Sequence, residues 1–181
     1  MTKLHAQLGL INPKSPDNVG AILRAAANYN VDKVVYTGNR YPRAIERSAR
    51  SVDMSRKIGR NIPIEPTQNL IESARAEGLV PVCIEFAENA IALPDFSHPD
   101  NAFYIFGPED GSIEQEIIDQ ADFVVFVPTI GSMNLSASVN VLLYDRLAKS
   151  ARYGTDNDFI KSSRDTNNRL KVSVKLIPNR K

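Results

Sequence analysis

Residues 102–147 read AFYIFGPEDGSIEQEIIDQADFVVFVPTIGSMNLSASVNVLLYDRL, and their pattern decides the fold. Two runs rich in β-branched and aromatic residues, 102–106 and 123–127, stop abruptly at polar or glycine-containing turns, as the buried strands of an α/β sheet do. In open sheets of this class ligands lie beyond the carboxyl ends of the strands. The turns 107–111 (GPEDG) and 128–134 (PTIGSMN) are therefore expected to form neighbouring walls of one pocket.

Working outward, 113–120 reads as a short connecting helix and 134–152 as the last and longest one, its apolar face made by Leu135, Val139, Leu142, Leu143 and Leu147. Upstream, 5–12 is a first strand ending at Asn12-Pro13-Lys14. Ser15 is a good N-cap with Pro16 at the first helical position, and Val19, Ile22, Leu23 and Ala26 recur at helical spacing. Asp17, Gly20, Arg24 and Asn28 are left on the opposite face. A glycine inside a helix costs roughly 1 kcal/mol against alanine, so Gly20 needs a reason. Close backbone packing and approach of a ligand serve equally well.

The segment 31–37 reads as a second strand closed by Gly38. A helical pattern from Ala44 follows, then a brief strand at 62–65 between prolines and a helix over 68–77 capped by Thr67. Residues 79–86 form another buried strand, with Cys83 as a small core hydrophobe, and 87–101 read as a loop. Past Gly154 the chain turns polar before Leu170, Val172, Val174 and Leu176 alternate. The reading there is a mobile or partner-dependent extension whose alternation allows an extended strand. Strands alternating with helices give an α/β fold, a mainly parallel sheet flanked by helices. One domain, 1–154, carries a basic extension, 155–181.

Composition excludes several classes. No apolar run approaches membrane-spanning length, and MTKLHAQLGLIN lacks the apolar core and cleavage site of a secretory signal, so a cytoplasmic protein is expected. One cysteine and two histidines give no metal-ligand spacing. The net charge of +1 conceals segregation. Residues 38–60 hold seven basic side chains (Arg40, Arg43, Arg47, Arg50, Arg56, Lys57, Arg60) against two acidic, and 156–181 hold seven against three. Between them, 61–155 carry fourteen acidic and four basic. Arginine over lysine in the first cluster, with Tyr41 for stacking, suits a polyanion-binding face, since the guanidinium fork matches phosphate and base edges. A solvated helix surface is the other reading.

Three motifs carry the chemistry: Asn18-Val19-Gly20-Ala21-Ile22-Leu23-Arg24, Phe106-Gly107-Pro108-Glu109-Asp110-Gly111 and Gly131-Ser132-Met133-Asn134-Leu135-Ser136. Together they resemble the N-x-G-x-x-x-R, F-G-x-E and S-x-N-x-S signatures of the SpoU (TrmH) branch of the SPOUT RNA methyltransferases. The resemblance spans nearly all of 8–147. It implies methyl transfer from S-adenosylmethionine to a ribose 2′-hydroxyl of tRNA or rRNA by a homodimer, with a C-terminal trefoil knot made by about 102–147.

Carried over residue by residue, Arg24 would bind the target phosphate or ribose and favour the alkoxide, Asn18 would hold the loop or ribose, and Glu109 would fix the cofactor loop or an arginine. Ser132 and Asn134 join this catalytic set, although both also sit where helix caps belong. The cofactor would be held by Ile84, Gly107, Glu109, Val127, Pro128, Ile130, Gly131, Met133, Leu135 and Ser136, with the glycines admitting an adenine edge to the backbone. Arg24, Arg40, Arg43, Arg47 and Arg50 would contact RNA. Neither a G-x-G-x-x-G pattern nor a P-loop lysine is present, which disfavours NAD and nucleoside triphosphates. Two alternatives stand beside this reading: a catalytically silent RNA-binding module of the same fold, and an unrelated α/β small-molecule enzyme.

Overall fold

The computed structural model describes residues 5–47, 62–150 and 153–172. Seven strands form one parallel sheet: β1 (His5–Leu10), β2 (Lys33–Tyr36), β3 (Ile64–Pro66), β4 (Val80–Ile84), β5 (Ile91–Ala92), β6 (Asn101–Phe106) and β7 (Phe123–Phe126), in the order β3-β2-β1-β6-β4-β7-β5. The helices are α1 (Pro16–Asn28), α2 (Arg40–Arg47), α3 (Leu70–Ala76), α4 (Gln115–Gln120), α5 (Leu135–Ser150) and α6 (Asn157–Ser163). Among the described residues, no helix is long and apolar enough to cross a membrane.

The continuous apolar run of β6 follows from its place between β1 and β4, with both faces covered. Ala102, Tyr104 and Phe106 face one core, built with Val19, Ile22 and Leu23 of α1 and Val139, Leu142 and Leu143 of α5. Phe103 and Ile105 face the other, with Leu70, Ile71 and Ala74 of α3. Register places the site. Leu10 pairs with Phe106, Phe106 with Ile84, and Leu10 with Tyr36. The four strands thus end level, and the turns after β1, β2, β4 and β6 leave from one rim.

Several local expectations shift. Asn69, not Thr67, caps α3, its side chain accepting from the amides of Ile71 and Glu72, while Thr67 Oγ1 pairs with Ser73 Oγ at 2.7 Å. The helix expected from Ala44 begins at Arg40. The stretch taken for a loop, 87–101, contains the edge strand β5 and a 3₁₀ turn, Leu93–Asp95. Two residues are too few for a periodic signal, and the partner of β5 is β7, distant in sequence. The extension holds α6, capped by Asp156 and packed by Phe159 over Gly154, where a Cβ would collide with the ring. Hence α5 is not the last helix. The alternating segment after Val172 lies outside the described residues, as does Arg50.

Candidate active site

At this rim the loops after β4, β6 and β7 enclose a cleft of about 360 Å³. Ile84, Phe86, Phe106, Val127, Met133 and Leu135 supply apolar wall, and Gly107 contributes backbone. A Cβ on Gly107 would lie 3.2 Å from Ile113 Cγ1, tighter than usual, and 3.5 Å from Glu85 Oε2, an ordinary contact, so Ile113 would have to give slightly to admit one. Size and lining match a pocket for a nucleoside-sized ligand. Among the described residues, the charged side chains of the lining are two carboxylates, Glu85 and Glu109, and no lysine or arginine joins them. Such a cleft repels polyphosphate and tolerates a cationic ligand.

One hydrogen-bonded relay joins the three motif segments. Glu109, on the loop after β6, accepts from the amides of Lys14 at 2.8 Å and Ser15 at 3.0 Å, ahead of α1. Asn18 Nδ2 donates to the same carboxylate at 3.4 Å, and Asn134 Nδ2 donates to Asn18 Oδ1 at 3.1 Å. Asn134 Oδ1 accepts from the amide and hydroxyl of Ser136 at 2.9 and 2.7 Å, capping α5. Burial opposes ionisation of Glu109, but the Ser15 and Lys14 amides and Asn18 outweigh it and hold its carboxyl below the usual range.

A second clamp sits beside the relay. Arg40, at the start of α2, donates through one terminal nitrogen to both oxygens of Asp110, at 2.7 and 2.8 Å, and through Nε and the other terminal nitrogen to Asn12 O, at 2.9 and 2.6 Å. Asn12 has a φ of 42°, and its side chain lies so close under Gly38, at φ 78°, that a Cβ there would collide with it. The Arg40 guanidinium holds the Asp110 carboxyl below its ordinary value.

The other expected residues divide. Ile84, Gly107, Glu109, Val127, Ser132, Met133, Asn134 and Leu135 line the cleft, whereas Pro128, Ile130, Gly131 and Ser136 do not, Ile130 being wholly exposed. Arg24 and Arg43 are exposed, and neither side chain makes a hydrogen bond or ion pair among the described residues. Arg47 lies in α2. Tyr41, expected to offer its ring for stacking, is buried edge-on against Tyr36, with centroids 5.3 Å apart. Thr129, in the turn expected to form a wall, lines the cleft too, and Glu85, Phe86, Phe126 and Ser138 line it without having been anticipated. The rule that sites lie at strand ends applied to β4 and would have found Glu85 and Phe86.

The sequence profile of the SpoU rRNA Methylase family matches residues 5–144. The chain belongs to that family. A curated relative is the tRNA (cytidine-2′-O-)-methyltransferase TrmJ of Methanocaldococcus jannaschii, 29% identical, with 79% of this chain and 67% of the relative covered. Among solved structures, the AdoMet-bound rRNA methyltransferase of Sinorhizobium meliloti superposes with a TM-score of 0.68 at 20% identity, covering 82% of this chain and 57% of that one. The A. aeolicus TrmH/SpoU tRNA modifying enzyme gives 0.66 at 18%, covering 89% and 85%. These likenesses establish the SpoU fold, and this chain spans little more than half the length of the S. meliloti neighbour.

Proposed function

We propose that this chain is an S-adenosylmethionine-dependent RNA methyltransferase that modifies a ribose 2′-hydroxyl in tRNA or rRNA, working as a cytoplasmic homodimer. The observation that carries the reading is the Glu109–Asn18–Asn134 relay, which ties the three family motifs around a single nucleoside-sized cleft. When bound, S-adenosylmethionine supplies a methyl carbon already activated by a positive sulfur. The apolar walls and the Gly107 backbone would hold its adenosyl part, and the Glu85 and Glu109 carboxylates suit its positive charge.

The protein's share of the catalysis is positioning and exclusion of water. Glu109 and Asn18 lock the start of α1 to the cofactor loop. Arg24, on the same helix with its guanidinium uncommitted, would hold the target phosphate and favour the alkoxide as the ribose hydroxyl loses its proton. Arg43, and with it Arg47 and Arg50, would engage the RNA backbone. Ser132, which lines the cleft, would lie beside the incoming ribose.

Dimerisation is supported by α5, whose exposed Val141 and Tyr144 lie on the side opposite its core contacts with α1. The trefoil knot over about 102–147 is supported by strand order: the chain leaves β6, returns beyond β4 as β7, and comes back across to α1 as α5. The basic extension 155–181 would add RNA contacts to the 1–154 domain.

Calorimetric titration with S-adenosylmethionine, with ATP and NAD as controls, tests the cofactor site. Binding of S-adenosylmethionine alone is expected. Its absence would favour the silent RNA-binding module.

A further inference from the structure

Building on the methyltransferase reading, we propose that Arg40 is a positioning residue for the cofactor loop, acting through Asp110, and not a contact for RNA. Its sequence neighbourhood suggests the opposite, since it opens an arginine-rich helix. The geometry decides against that. The contacts to Asp110 and Asn12 O engage Nε and both terminal nitrogens of the guanidinium, the Asp110 pair sharing one nitrogen, and the side chain is 28% exposed. A phosphate bound by the same edge of the guanidinium would have to displace the Asp110 carboxylate.

The clamp has one consequence for the site. Asp110 directly follows Glu109, whose carboxylate accepts the Lys14 and Ser15 amides, and Asn12 lies in the same β1–α1 turn. Arg40 therefore pins both ends of that junction: Asp110 on the cofactor loop and Asn12 on the turn that leads into α1. Gly38 and the left-handed Asn12 let α2 come close enough for this. Lys14 Nζ lies 3.8 Å from the same Asp110 carboxylate but is held less closely. Arg43, one turn further along α2, has no such partner and is left for phosphate.

The test compares Arg40→Ala, Asp110→Asn, their double variant and Arg43→Ala with the wild type in three measurements. Hydrogen exchange of the ligand-free chain should show faster exchange at the Lys14 and Ser15 amides in the first three and wild-type rates in Arg43→Ala. S-adenosylmethionine affinity should fall about tenfold in Arg40→Ala and in Asp110→Asn, with no further loss in the double variant, because the two side chains act as one couple. Affinity for unfractionated tRNA, measured across salt concentrations, should keep its salt slope in Arg40→Ala, while Arg43→Ala lowers the slope by about 1. Arg40→Ala that binds S-adenosylmethionine and exchanges amides like the wild type, but loses a unit of salt slope, would overturn the proposal. A wild-type chain that binds no S-adenosylmethionine would instead remove the reading on which it rests, while unaltered exchange in Arg40→Ala would remove the clamp itself.

Discussion

At the scale of single residues, charge and bonding separate side chains of one chemical type. Arg24, Arg40 and Arg146 illustrate this. Arg146 is buried, its guanidinium spent on Pro99 O, Asp100 O, His5 O and Tyr104 Oη. Arg40 is spent on Asp110 and Asn12. Arg24 is exposed with its donors uncommitted, the state required of a group that must meet a substrate. Arg24→Ala is expected to keep S-adenosylmethionine affinity within about twofold while methyl transfer falls by roughly 10²–10³, the usual loss on removing a charge-stabilising donor. Single-turnover rates with saturating cofactor check this, and a wild-type rate would remove Arg24 from the mechanism.

At the scale of elements, α5 is held at two ends by different means. Its start is capped by Asn134 within the relay, and its far half is tied to the opposite rim of the sheet by a directional chain. Arg146 donates to Tyr104 Oη at 2.8 Å, Tyr104 Oη lies 2.7 Å from His98 Nδ1, and His98 Nε2 lies 2.8 Å from Asp145, which also pairs with Lys149. Because Arg146 supplies the proton of its own bond, the tyrosine hydroxyl is free to donate to Nδ1, which leaves Nε2–H to face Asp145. A neutral His98 satisfies every member. Burial, helped by Arg146 and Lys149 and opposed by Asp145, keeps its pKa below the ordinary histidine value of 6.5.

The unfolded chain therefore takes up this proton first, and stability falls as pH drops through about 6.5 and on to the lower folded value. Urea midpoints at pH 7.5 and 5.5 should show the wild type losing more stability in acid than His98→Gln does. That variant should itself be weaker at pH 7.5 by about 1–3 kcal/mol, for the broken buried chain. Equal acid losses would show that His98 is not the group responsible.

Legibility also divides at this scale. The strands whose apolar runs end at glycine or polar turns, β6 and β7, were readable; burial on both faces gives β6 its unbroken run, whereas in β7 only Val125 is fully buried. So was α1, whose cap and stripe are local in sequence. The partner of β5, the burial of Tyr41 against Tyr36 and the capture of Arg40 by Asp110 depend on contacts between residues far apart in the chain, which no periodicity encodes. The cleft residues found in advance are, Ile84 apart, those in or near the motifs. Glu85 and Phe86 follow the end of β4, where the strand-end rule applies as well, and the place of β4 between β6 and β7 brings them to the cleft.

At the scale of the whole molecule, the sheet gathers four level strand ends around an acidic, apolar-walled cleft, while α1 and α2 carry the exposed Arg24 and Arg43. This arrangement separates the cofactor from the polyanion by charge. The basic extension continues the same division, with Lys161 and Arg164 exposed or half-exposed around α6. Removal of residues 156–181 is expected to weaken tRNA binding and reduce its salt slope while leaving S-adenosylmethionine affinity unchanged. Equal tRNA affinity in the truncated chain would show that the extension makes no contact.

The central claim is transfer of a methyl group to ribose. Its most direct test is incubation of the purified chain with unmodified tRNA or rRNA and S-adenosylmethionine carrying a labelled methyl group, followed by complete digestion and separation of the nucleosides. Label is expected in a 2′-O-methylated nucleoside. Label on a base, or no label from a chain that binds S-adenosylmethionine and RNA, would contradict it.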